Sequence, residues 1–152
     1  MNEILNKLTE YFDSGVTRDV KFRIEALKRL KKAFEKYEPQ IIRALRDDLR
    51  KPDLEIYTME FGYVIEEIKF AIKHLKKWAS PKRVPIPMYL QPAKGYIVKE
   101  PYGNVLIIGA FNYPFQLVFV PLIGAIAAGN CALVKPSKSA VESAKVIHKI
   151  IE

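Results

Sequence analysis

The 152-residue chain has a single cysteine, Cys131, and only two histidines, His74 and His148. One cysteine excludes a disulfide within the chain and suits a reducing compartment. Neither histidine has a second histidine or a cysteine at ligand spacing, so no zinc-type site can be assembled from them. Both histidines read as helix surface residues. Charge is missing too: the 34 residues from Pro101 to Val134 carry none. A membrane-spanning helix needs about 20 predominantly apolar residues. This stretch is broken by Asn112, Pro114, Gln116, Pro121, Gly124, Gly129 and Asn130, and no lysine and arginine bias brackets a clear span. No membrane segment is expected. The opening MNEILNKLTEYFDSG contains Glu3, Glu10 and Asp13 and lacks the apolar core of an export signal. Cytoplasm is the expected compartment.

What is present describes a globular domain. Hydrophobic residues make up 49% and charged residues 28%, a composition that can bury a core at this length without metals or disulfides. The net charge of +8 raises the question of nucleic acid. The basic residues, however, alternate with acidic ones, as in KFRIEALKRLKKAFEKYE and EEIKFAIKHLKKW. That pattern is of solvated helix faces, and no nucleic-acid partner is expected.

The charged region, Met1 to Glu100, reads as helices. Phe22, Ile24, Leu27, Leu30 and Phe34 recur near helical spacing, Pro39 interrupts, and Ile41, Ile42, Leu45 and Leu49 resume the stripe. Pro52 and Asp53 mark the next break, with Asp53 the expected N-cap. Val64, Ile68, Ile72 and Leu75 define a third helix reaching about Trp78. Four prolines then occur between Ser80 and Pro92, through which a helix cannot run. The extended runs Met88–Leu90 and Tyr96–Lys99, on either side of Gln91–Gly95, predict a hairpin.

The uncharged stretch predicts strand, helix, strand, helix. Asn104–Gly109, NVLIIG, has the continuous apolar character of a strand buried on both faces. A helix-like run follows the break at Asn112-Tyr113-Pro114, kinked or restarted at Pro121 and stopped by Gly129-Asn130. Cys131–Lys135, CALVK, is a second strand, and Ala140–Ile151 a further helix. This order is half of a doubly wound parallel sheet, so the expected class is α/β with a Rossmann-like half-sheet. The chain is expected to divide into a helical part at 1–80, a hairpin at 81–100 and the half-sheet at 101–152.

Familiar phosphate motifs fail. Gly124 and Gly129 have the glycine spacing of a phosphate loop, but Asn130 and Cys131 stand where lysine and serine or threonine are needed. No GxGxxG occurs. Cys131 begins an apolar strand without the electropositive, accessible setting of a reactive thiolate, and reads as a small core residue.

Several short motifs in order resemble the aldehyde dehydrogenase superfamily. Glu100-Pro101-Tyr102-Gly103 is similar to its EP-x-G element, Phe111-Asn112-Tyr113-Pro114 to its W/F-N-Y/F-P turn, and Gly129-Asn130 with Val134-Lys135-Pro136-Ser137 to its GN…LKPSE element. The segments SGVTRDVKFRIEALKRL, DDLRKPDLEIY and GYVIEEI resemble the shorter class-three branch. The resemblance runs from about Tyr11 to the end.

The resemblance implies NAD(P)-dependent oxidation of aldehydes to acids. In that reaction a cysteine thiolate attacks the aldehyde, a hydride leaves the adduct for the nicotinamide, and water hydrolyses the thioester. It also implies residue roles. From the residues alone, Asn112 is either a helix cap or a donor to the adduct oxyanion; the resemblance implies the oxyanion donor. Ile108, Gly109, Ala110, Phe111 and Asn112 would lie along the cofactor, with Lys135, Pro136, Ser137 and Lys138 near its adenosine ribose. Lys138 departs from the family, which usually has glutamate after KPS. The hairpin resembles the family's subunit-contact arm, so a homo-oligomer acting on an aldehyde substrate is expected of a complete enzyme. The family's Gln-x-Cys nucleophile, general-base glutamate and later glycine-rich turn have no counterpart up to Glu152, so this chain alone is expected to be an inactive, incomplete aldehyde dehydrogenase fold. The alternative is a truncated non-catalytic paralogue that acts as a nucleotide-binding or interaction module.

Overall fold

A computed structural model describes residues 2–152. The first described element is α1 (Asn2–Asp13), inside the region whose charge and spacing read as helices. A short 3₁₀ turn, Val16–Arg18, leads to α2 (Val20–Lys36), which Asp19 caps by accepting from the Lys21 N–H at 2.8 Å. The next helix, α3 (Glu38–Leu49), takes Pro39 in its first turn, where a missing N–H costs nothing.

A continuous helical run follows, made of α4 (Asp53–Glu55), a π-helical turn at Ile56–Phe61 and α5 (Gly62–Ala79). Asp53 is the first residue of α4 rather than its N-cap, which is Pro52. Its carboxylate accepts from Arg46 Nε at 3.1 Å instead of from the helix backbone. The π turn closes by a hydrogen bond from the Gly62 N–H to the Tyr57 carbonyl. A Cβ at position 62 would lie 2.3 Å from that carbonyl oxygen, so the turn requires glycine there.

The hairpin lies within the proline-rich stretch, but its strands differ from those expected. They are β1 (Lys82–Val84) and β2 (Gly95–Ile97), antiparallel, with Lys82 opposite Ile97 and Val84 opposite Gly95. Met88–Leu90 is a 3₁₀ turn inside the loop, closed by the Leu90 N–H on the Pro87 carbonyl at 3.1 Å. Pro85, Pro87 and Pro92 supply no donors, so the ladder cannot extend into that segment.

The second half follows the expected order: β3 (Asn104–Ile108), α6 (Gln116–Ala128), β4 (Cys131–Lys135) and α7 (Val141–Ile151). The two strands pair in parallel, with Asn104 opposite Cys131 and Ile108 opposite Lys135. Two expectations need correction. First, α6 continues through Pro121 and does not restart there. The proline is exposed while Val118, Phe119, Leu122 and Ile123 are buried, and their packing holds the helix where local propensity would break it. Second, β3 is not buried on both faces. Ile107 is buried and Val105 partly so, but Leu106 and Ile108 are 59% and 64% exposed.

One hydrophobic core joins the N-terminal helices to α6 and α7. Helix α5 packs on α2 and α6, α3 on α7, and α1 on the β3–β4 pair. Phe34 of α2 sits at the centre, 4.9 Å from Phe119, 5.4 Å from Phe61 and 6.3 Å from Phe115 between ring centroids. Burying each of these rings contributes about 1.5–3 kcal/mol. The aromatic cluster thereby fixes the π turn and the start of α6 against α2. Among the described residues no helix is long and apolar enough to cross a membrane.

Candidate functional site

The parallel pairing brings both candidate segments to one edge. Ile108 ends β3 directly beside Lys135 at the end of β4, and the Gly109 N–H continues the ladder by donating to the Lys135 carbonyl at 3.0 Å. Carboxyl ends of adjacent parallel strands are where ligands bind in α/β sheets. Gly109 is buried, and a Cβ there would fall 2.4 Å from Val118 Cγ2, so glycine lets the strand end lie close against α6. Ile108, Ala110, Phe111 and Asn112 are exposed along the rim. On the β4 side, Lys135 and Lys138 are exposed, and Pro136 and Ser137 are partly buried. Ser137 Oγ accepts from the Ser139 N–H at 3.2 Å and shapes the turn that carries Lys138.

Asn112 caps no helix. The residue preceding α6 is Phe115, and no side chain at that position supplies a cap. The first N–H groups of α6 are taken by a distant carboxylate. Glu60 Oε2 accepts from the Phe115 N–H at 3.1 Å and the Gln116 N–H at 2.9 Å, while Glu60 Oε1 accepts from Lys51 Nζ at 3.0 Å. Glu60 is fully buried. Burial pushes its carboxyl above the ordinary glutamate range, opposed by the Gln116 N–H and by Lys51. Lys51 is itself buried, pairs with Glu55 at 2.9 Å, and places its ammonium 3.5 Å from the Tyr113 ring centroid. The Tyr113 carbonyl accepts from the Leu117 N–H at 2.9 Å. Tyr113, Phe115 and Gln116 are thus all anchored, and the exposed Asn112 is the next residue outward.

Other helix ends are held in the same manner. Asp48 of α3 accepts from the Glu142 and Ser143 N–H groups at 3.1 and 2.7 Å, capping α7. Buried Arg23 of α2 donates to the Thr17, Arg18 and Ala127 carbonyls at 2.6, 2.8 and 3.3 Å, so it closes the carboxyl end of α6. Each charge has the sign that the helix dipole favours at its end. The motif-based reading found none of Glu60, Lys51, Asp48 or Arg23. A signal existed for two of them. Counting back by fours from Val64 lands on Glu60 and then Ile56, and Arg23 lies four residues before Leu27, so both occupy positions of an apolar stripe.

Cys131 is buried beneath α1 and α2, and burial pushes its thiol pKa up. That environment keeps the protonated form and opposes nucleophilic chemistry.

Comparison with known proteins matches this arrangement to a family. The model of the aldehyde dehydrogenase family matches residues 2–152. The 4,4'-diaponeurosporen-aldehyde dehydrogenase of Staphylococcus aureus is 53% identical over 141 residues, covering 93% of this chain and 31% of that protein. The dimeric NADP-preferring aldehyde dehydrogenase of Canis lupus familiaris is 39% identical over 151 residues, covering 99% of this chain and 33% of that protein. A solved structure of the substrate-bound state of Staphylococcus aureus AldH superposes with a TM-score of 0.95 at 50% identity, over 99% of this chain and 33% of that one. The chain therefore spans about one third of the length of the relatives it matches, and it belongs to the aldehyde dehydrogenase family.

Proposed function

We propose that this chain forms the N-terminal part of an NAD(P)-dependent aldehyde dehydrogenase that oxidises aldehydes to carboxylic acids. The observation that carries this reading is the parallel pairing of Ile108 with Lys135. It sets an apolar rim, Ile108, Ala110 and Phe111 exposed around buried Gly109, beside two exposed ammonium groups, Lys135 and Lys138. An apolar rim with adjacent cations suits a dinucleotide, which combines flat rings with phosphate. When bound, the nicotinamide would supply the hydride acceptor.

The role proposed for Asn112 is to donate its side-chain amide to the oxygen that becomes negative when a cysteine thiolate adds to the aldehyde carbon. The amide makes no hydrogen bond among the described residues, so it is free to meet that oxygen. Removing one such donor typically lowers kcat by about 10²–10³. In the complete protein Asn112→Ala is expected to do so, with cofactor affinity nearly unchanged, in a spectrophotometric assay of reduced cofactor. A drop smaller than about threefold would remove Asn112 from the reaction.

The cofactor-side reading concerns Lys138. A carboxylate at this position would accept from ribose hydroxyls and repel a 2′-phosphate. Lys138 instead attracts the phosphate from the same turn as Ser137. The complete protein is expected to use NADP at least as well as NAD, and Lys138→Glu to shift the kcat/KM ratio towards NAD. An unchanged ratio would mean that Lys138 faces solvent, where charges act weakly.

A further inference from the structure

Asn112 is exposed and has no hydrogen bond of its own among the described residues, yet an oxyanion donor works only if its direction is set beforehand. The direction must come from the backbone that follows it. That backbone is held at three points: the Tyr113 ring under Lys51 Nζ, and the Phe115 and Gln116 N–H groups on Glu60. We propose that Lys51 and Glu60 are positioning residues for Asn112, holding the Tyr113–Gln116 backbone as a buried charged bracket. The proposal rests on Asn112 being the oxyanion donor.

The construction of the bracket supports this role. An ordinary serine or asparagine next to α6 would satisfy the same N–H groups without burying an ion. Burying Glu60 disfavours its charged form, and apolar replacement of buried ion pairs is often neutral or stabilising. A buried ion pair is therefore weak evidence of a stabilising role. It links the π turn to a loop 55 residues later, and so makes the loop follow the rigid α2–α5 core. Lys51 does not act on substrate as a cation. It is buried, and the Glu55 and Glu60 carboxylates both pair with it.

The test is a double-mutant cycle in the complete protein, with Glu60→Gln, Asn112→Ala and their combination. Glu60→Gln keeps an acceptor for the N–H groups but removes the charge that holds Lys51. It is expected to lower kcat about tenfold, as misplacement of a reacting group does, with KM for aldehyde and for cofactor changed less than about twofold. In the Asn112→Ala background the same change should cost less than about twofold, because the residue it positions is gone. Equal losses in both backgrounds, or no loss with Asn112 intact, would overturn the positioning role and leave the oxyanion reading standing. If Asn112→Ala itself leaves kcat unchanged, both fall. Should Glu60→Gln not fold, Tyr113→Leu decides by the same criteria, since it removes the ring beneath the ammonium without unpairing a buried charge.

Discussion

Gly62 shows how one residue's sign can be inverted by local geometry. Replacing glycine by alanine inside an ordinary helix stabilises by roughly 0.5–1 kcal/mol. Here the added Cβ would stand 2.3 Å from the Tyr57 carbonyl oxygen, because the π turn brings that carbonyl inward. Gly62→Ala is expected to destabilise the chain by about 1–3 kcal/mol, the usual cost of overpacking. Urea unfolding followed by circular dichroism measures this. A higher midpoint than the parent would show that the turn relaxes to a regular α-helix at no cost. Nothing in the residue types around Gly62 announces a π turn. The position is legible only from the carbonyl it faces. Glu60, two residues earlier, was readable as a carboxylate on an apolar stripe, but its partners at Phe115 and Gln116 were not.

At the scale of elements, α6 is the informative case. It carries no charged side chain, and its two ends are held by Glu60 and Arg23 from other helices. Burial raises the Glu60 pKa, so the folded state binds this proton more tightly than the unfolded state. The unfolded chain therefore holds fewer protons between the ordinary glutamate pKa, about 4.3, and the raised folded value. Stability assigned to Glu60 is then full below the unfolded pKa and is lost as pH rises through the folded one. Relative to Glu60→Gln, the parent chain should gain in melting temperature as pH falls through the raised folded pKa towards the ordinary glutamate value. A difference that is flat over this range would mean that Lys51 and the two N–H groups fully offset desolvation. Local pattern sufficed to find β3, β4 and α6, because each has an apolar run with a turn residue at its end, and α7, because its apolar residues recur at helical spacing. It placed the first hairpin strand too late, since prolines at positions 85, 87 and 92 hide which flanking residues can pair. It also overrated Pro121, whose local cost is outweighed by the buried residues on either side.

Among the apolar residues exposed by the described chain, two groups bear on association. Leu106 and Ile108 lie bare on one face of the sheet, and Met88 and Tyr89, at 88% and 84% exposure, project from the hairpin loop. A two-stranded hairpin with unpaired edges is marginal by itself and invites pairing. The 152-residue chain is expected to self-associate despite a net charge of +8 that opposes it. Light scattering during size-exclusion chromatography would show species larger than the monomer, reduced by Leu106→Lys. A sharp monomer peak with cooperative unfolding would sink this expectation. The rim of the candidate site was legible because its residues cluster in two short motifs. Its supports were not, because Lys51, between α3 and α4, and Glu60, in the π turn, show no link to the rim until the chain folds.

The separation between α6 and its two holders has a temporal side. Arg23 and Glu60 reach it across 104 and 55 residues of chain, and both leave the ribosome before it does. Synthesis runs from the N-terminus, and structure generally accumulates in that order. The α2–α5 helices can thus assemble first, with Glu60 already paired to Lys51 and Arg23 already bonded to the Thr17 and Arg18 carbonyls, each keeping one further position for α6. When the uncharged segment emerges, only one polarity satisfies both ends. A helix inserted backwards would bring carbonyls to Glu60 and amides to Arg23. The direction of α6 is thus matched at both ends by charges that precede it in the sequence.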